Sequence, residues 1–125
     1  MSNEQQKTIV ALLDDLLFMV KISDGAKRAG FALKVVKSEA DLMEQARANP
    51  ALVIFDLNFH GIDPLGVIAK FKADEDLKKI KLLGYVSHVE GEMKRKALEA
   101  GCDVVLPRSA FSRQLGNGEW VVGSA

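Results

Sequence analysis

The chain holds a single cysteine, Cys102, no excess of charge of either sign and no apolar run long enough to span a bilayer. One thiol excludes an internal disulfide framework. Seventeen Lys+Arg balance 17 Asp+Glu, so the molecule lacks the basic field that holds proteins to nucleic acid or to an acidic membrane surface. Neither partner is expected. A bilayer crossing needs roughly 20 apolar residues, and the opening Met-Ser-Asn-Glu-Gln-Gln-Lys has no apolar stretch of the signal-peptide kind. A soluble protein of the reducing cytoplasm is the expectation. The 125 residues, 48% of them hydrophobic, suit one domain of about 100–200 residues with one sizeable core.

Apolar runs alternate with helical patterns along the whole chain. The run 8–13 (Thr-Ile-Val-Ala-Leu-Leu) ends at Asp14-Asp15 and reads as a strand buried on both faces. Over 16–29, Phe18, Ile22, Ala26 and Ala29 recur at helical spacing, with Gly30 as the stop; Gly25 inside this helix costs about 1 kcal/mol relative to alanine. Residues 33–36 form a second strand, and Ser38 with Asp41 caps a helix that carries Leu42, Met43 and Ala46 and ends near Asn49-Pro50. The most hydrophobic run, 51–55, predicts a central strand ending in Asp56. Asp63 and Pro64 start a helix with Val67, Ile68 and Phe71 facing inward. The mixed-sign segment 74–79 reads as a solvated turn. A fourth strand over 80–86 is weakened by Gly84; a helix over 90–100 closes at Gly101; a fifth strand spans 103–106, and 109–115 leaves room for a short helix.

Such a (βα)5 chain predicts an α/β fold, a parallel sheet covered on both faces by right-handed crossovers, with its site outside the carboxyl ends of the strands. Asp14 and Asp15 end the first strand and Asp56 the third. If these strands are neighbours, three carboxylates share one crevice, and a hard divalent cation, Mg²⁺ first, would relieve their repulsion. The alternative is that Asp14 or Asp15 is a helix N-cap and Asp56 an ordinary loop residue.

Asp14-Asp15 after an apolar strand, Val53-Ile54-Phe55-Asp56-Leu57-Asn58, and the turn Ala100-Gly101-Cys102-Asp103 into the last strand resemble the receiver domain of bacterial two-component response regulators. The resemblance runs from residue 7 to about 115, leaving 1–6 as a flexible N-terminus and 116–125 as a C-terminal tail. It implies a flavodoxin-like three-layer sandwich with a five-stranded parallel sheet in the order 2-1-3-4-5 and Asp56 as phosphoacceptor. It also implies direct Mg²⁺ binding by Asp15, weaker or water-mediated binding by Asp14, and the Asn58 backbone carbonyl as a further ligand. A histidine kinase or phosphotransfer protein would donate the phosphoryl group, a downstream protein would receive the signal by contact, and any enzymatic activity would be limited to phosphorylation and dephosphorylation of Asp56.

Several positions depart from the family pattern. Arg108 stands where receivers carry a phosphate-pairing lysine, and a planar guanidinium does not replace a compact ammonium. Val86 falls at the hydroxyl position of the fourth strand with Ser87 beside it, so a one-residue slip decides whether a hydroxyl faces the site. Val105 takes the aromatic switch position, His60 replaces a common proline and Pro64 a glycine. His60 and His88 read first as surface residues, Cys102 as a small turn residue, and Lys94-Arg95-Lys96 as a solvated face paired with Glu90, Glu92 and Glu99, or as a partner surface. For the tail with the only tryptophan, Trp120, docking on the sheet edge, a homodimer contact and disorder all stay open. The second functional reading is a pseudo-receiver that binds proteins without phosphorylation. A small flavodoxin-like enzyme or ligand-binding domain is disfavoured by the lack of a phosphate-binding glycine loop, a G-x-S-x-G elbow or paired Cys/His ligands.

Overall fold

The computed structural model describes residues 8–87, 91–118 and 120. His88, the N-terminal residues 1–6, and Glu119 and 121–125 of the tail lie outside them. Strands β1 (Thr8–Leu12), β2 (Ala32–Val36), β3 (Leu52–Asp56), β4 (Leu82–Val86) and β5 (Val104–Pro107) alternate with helices α1 (Leu16–Arg28), α2 (Glu39–Ala46), α3 (Pro64–Ala73), α4 (Gly91–Ala100) and α5 (Arg108–Asn117). The sheet order is β2-β1-β3-β4-β5 and every pairing is parallel. This is the flavodoxin-like arrangement that the resemblance to receiver domains implies.

Period-two alternation along each strand divides the interior into two cores. Val10, Leu12, Val53, Phe55, Leu82, Val86 and Val105 pack with residues of α2, α3 and α4, among them Leu42, Ile68, Phe71 and Ala97. Ile9, Ala11, Ile54, Leu83 and Tyr85 pack on the opposite face with Phe18, Ile22 and Ala26 of α1, Phe111 and Leu115 of α5, and Trp120. Burial on both faces is why β1, β3 and β4 read as unbroken apolar runs.

Local signals place most boundaries. The Asp41 N–H donates to Ser38 Oγ at 3.1 Å, completing the expected cap. Asp63 does precede Pro64, yet its side chain makes no capping bond. Helix α2 stops at Ala46 rather than near Asn49-Pro50, and Asn49 takes a left-handed φ of 62°. The last strand runs one residue further than expected, to Pro107, and α5 starts at Arg108 without a loop. Gly84 is a packing requirement: a Cβ there would lie 2.8 Å from Leu57 Cδ1. On α4, Arg95 pairs with Glu92 and Glu99 and Lys96 with Glu92, the solvated face read from the sequence.

The segment after α3 is more ordered than its composition suggests. Asp74 receives both terminal nitrogens of Arg47, at 3.1 and 2.7 Å, and its Oδ1 also accepts the N–H groups of Asp76 and Leu77. The Arg47 guanidinium first, then the Asp76 N–H, holds this carboxyl down to about 2. Because the folded state favours the ionised form, the contribution is complete above the unfolded value of about 3.9 and disappears as pH falls towards 2. Asp74→Asn should therefore lose less melting temperature than the parent protein between pH 5 and pH 2.5. Parallel losses would show that the pair contributes nothing.

Candidate functional site

The adjacency of β1 and β3 brings Asp14, Asp15 and Asp56 to the walls of one cavity of about 190 Å³, shared with Asn58, Phe59 and His60. Within it each carboxylate has its own partner. Asp15 is the N-cap of α1, accepting the Phe18 N–H at Oδ1 (3.1 Å), and its Oδ2 forms an ion pair with Arg108. Asp14 points outward, its side chain 71% exposed, and pairs with Lys37 at 3.3 Å. Asp56 accepts the Asn58 N–H at Oδ1 (2.9 Å). Both readings of the acidic cluster are thus partly realised, since Asp15 caps a helix while it also faces the cavity.

Burial pushes the Asp56 carboxyl above its ordinary value, opposed by the Asn58 N–H and the Arg108 charge. A raised carboxyl pKa means that the folded state penalises the anion, so this contribution to stability falls as pH rises through the unfolded value of about 3.9. An added cation or a neutral substitute would relieve it.

The two candidates for the hydroxyl position leave opposite faces of the sheet. Val86 is buried in the core shared with α2, α3 and α4, on the opposite side of the sheet from Tyr85. Ser87 is exposed, and its backbone N–H donates to Asn58 Oδ1 at 2.7 Å. This bond ties the end of β4 to the loop after β3 and occupies the Asn58 side chain. His60, read as a plain surface residue, is exposed but lines the cavity.

Sequence reasoning passed over the aromatic layer beneath the site. The Arg108 guanidinium lies 4.7 Å from the centre of the Phe18 ring, within cation–π range. Phe18 stacks on Tyr85 (4.9 Å between centroids, 22°), and Tyr85 packs against Phe111 at 5.3 Å. Tyr85 is 2% exposed and its hydroxyl has no hydrogen-bond partner among the described residues. An unpaired buried polar group costs about 1–3 kcal/mol. The available signal was a tyrosine one residue before the end of a buried strand, a place where phenylalanine would pack equally well.

Cys102 takes no part in the site. Burial pushes its thiol up to about 11, so it stays protonated at neutral pH.

The carboxylates of Asp14, Asp15 and Asp56 are hard oxygen donors of the type that Mg²⁺ accepts. Among the described residues no three His, Cys, Asp or Glu side chains are grouped closely enough to hold a metal ion. The donor type nevertheless suits a divalent cation, which these side chains could hold only after they draw together and Arg108 yields Asp15.

Solved structures share this architecture over nearly the whole chain. The Mn²⁺-bound form of response regulator Rcp1 matches with a TM-score of 0.80 at 16% identity, covering 94% of this chain and 96% of that one. The chain has the fold of response-regulator receiver domains. The phosphorylated cyanobacterial phytochrome response regulator RcpA matches this receiver fold at 0.80, with 21% identity and 97% of each chain covered. The chemotaxis response regulator CheY4 of Vibrio cholerae matches at 0.79, with 15% identity, 94% of this chain and 100% of that one. No family model matches the sequence, and no curated protein does. No helix among the described residues is long and apolar enough to cross a membrane.

Proposed function

We propose that this receiver fold is a phosphorylation-dependent signalling module with Asp56 as the acceptor. The observation that carries the reading is the half-buried Asp56 carboxylate at the end of β3, in one cavity with Asp14 and Asp15 and with a guanidinium at its edge. The receiver fold of RcpA, a phosphorylated protein by its name, supports it.

In the step we envisage, an Asp56 carboxylate oxygen attacks the phosphorus of a phosphohistidine. The P–N bond breaks, the imidazole leaves with its electron pair, and an acyl phosphate remains. Charge spreads over three equatorial oxygens, so positioning and positive charge supply most of the catalysis. Arg108 is the one described cation placed at Asp15, and it would turn to the phosphoryl oxygens. Mg²⁺, held by Asp15 and Asp56 with the Asn58 carbonyl and with Asp14 further out, would neutralise charge on those oxygens; the Mn²⁺-bound Rcp1 and a Burkholderia pseudomallei response regulator with a phosphorylated aspartic acid and a calcium ion support a divalent cation. The donor would be a histidine kinase or phosphotransfer protein. Leu16, Leu17 and Val20, exposed on α1 directly after Asp15, offer such a protein an apolar surface beside the site. A downstream protein would read the phosphorylated state, and a cytoplasmic location follows from this role.

Incubation with Mg²⁺ and acetyl phosphate should add the mass of one phosphoryl group to the intact protein and none to Asp56→Asn. The same variant should melt higher than the parent at neutral pH, with the difference shrinking as pH falls through the raised native value and gone below about pH 4, where the carboxyl is protonated in both states. No adduct on the parent protein, or an equal adduct on the variant, would favour the phosphorylation-independent pseudo-receiver.

A further inference from the structure

Among the described residues, two buried polar side-chain atoms lack a hydrogen-bond partner, Tyr85 Oη and Trp120 Nε1. Only Tyr85 lies in strand register with a residue that lines the acidic cavity, Asp56. Its ring is accounted for by packing between Phe18 and Phe111. Its oxygen is not, because phenylalanine would make the same stack without burying an unpaired donor.

The register places that donor. Tyr85 is the Cα partner of Asp56 in the parallel β3–β4 pairing. Side chains of register partners leave the same face of a sheet. Tyr85 packs on the face that α1 and α5 cover. Asp15 caps α1 and Arg108 opens α5, so the groups of the site border the same layer. Val86, one residue on, turns to the opposite core and brings no hydroxyl. Burial first, then the charges of Asp56 and Asp15, pushes the phenol pKa up and Arg108 pulls it back, so the hydroxyl lies within the field of all three. It therefore stays protonated and can only gain by finding an acceptor.

We propose that the Tyr85 hydroxyl is the hydrogen-bond donor for the oxyanion that arrives at Asp56, taking the part that Val86 cannot play. This inference rests on the phosphoacceptor reading above. Among the described residues the phenol has no acceptor; a phosphoryl oxygen at Asp56 would supply one, so the pairing would be made with the transferring and transferred group. Interactions made only there accelerate the reaction instead of tightening the ground state.

Tyr85→Phe tests this, since it removes one oxygen and keeps the ring. Without phosphodonor the variant should melt at the same temperature as the parent or higher. With Mg²⁺ and acetyl phosphate, adduct formation at Asp56, followed by intact mass, should slow by about tenfold or more. The thermal shift produced by Mg²⁺ with beryllium fluoride, a phosphoryl mimic, should shrink. Slowing at an undiminished melting temperature supports the donor role. An unchanged rate, or slowing that merely accompanies a loss of stability, overturns it while leaving the phosphoacceptor reading intact. No adduct on the parent protein overturns that reading, and this inference with it.

Discussion

Phe18→Ala should destabilise the protein by about 3–5 kcal/mol, the usual range for emptying a fully packed aromatic site. Phe18 is 3% exposed, stacks on Tyr85, tilts against Phe111 at 5.8 Å and carries the Arg108 guanidinium on its ring. Truncation removes contacts from all three partners, and the rigid sheet beneath cannot close the gap. The melting temperature should fall by roughly 10–20 °C for a domain of this size. Leu98→Ala is the control: Leu98 is 42% exposed, and such a surface change should stay within about 0.5 kcal/mol. A loss below about 1 kcal/mol for Phe18→Ala would mean that α1 is not seated on the sheet through this ring.

Replacing Arg108 by methionine should have the largest effect on cation binding. Asp15 has both oxygens engaged, Oδ1 by the Phe18 N–H and Oδ2 by Arg108. A divalent cation at Asp15 must displace the guanidinium and tolerate its charge nearby. One unit charge at about 4 Å is worth about 4 kcal/mol at an effective dielectric of about 20. Solvent screening of this partly exposed pair reduces that to about 1–2 kcal/mol. Calorimetric titration of Arg108→Met with Mg²⁺ and Mn²⁺ should therefore show affinities raised about tenfold. Acceptance of phosphoryl from acetyl phosphate should slow if, as proposed, the same side chain turns to the phosphoryl oxygens. Methionine retains an apolar stem against Phe18, which keeps the aromatic layer filled. Equal or weaker cation binding would show that Arg108 does not compete for Asp15.

Arg108 marks a place where residue type alone was insufficient. Counting along the chain puts it at the lysine position of receivers, and the structure does set it at the start of α5 beside the acidic cavity. Its present partner, Asp15, and its seat, Phe18, lie 90 or more positions earlier in the chain, and no local pattern announces such contacts. The hydroxyl question was harder still. Val86 and Ser87 were the two candidates one residue apart, whereas the oxygen nearest in register to Asp56 belongs to Tyr85. Strand periodicity says that neighbours face opposite ways, but not which neighbour faces which way.

The order and kind of the ten elements and the parallel sheet were written in the linear chain, whereas Asp14, Asp15 and Asp56 border one cavity only because β1 and β3 pair. Apolar periodicity and glycine, proline and capping residues act over a few positions, and burial on two faces leaves a continuous hydrophobic signature. The tertiary structure alone decided that Asp15 is shared between a helix cap and a guanidinium, that Asp14 turns to Lys37, and that a tyrosine keeps an unsatisfied oxygen beneath the site. Those outcomes depend on strand register and on which face each side chain leaves, quantities set only when distant segments pack together.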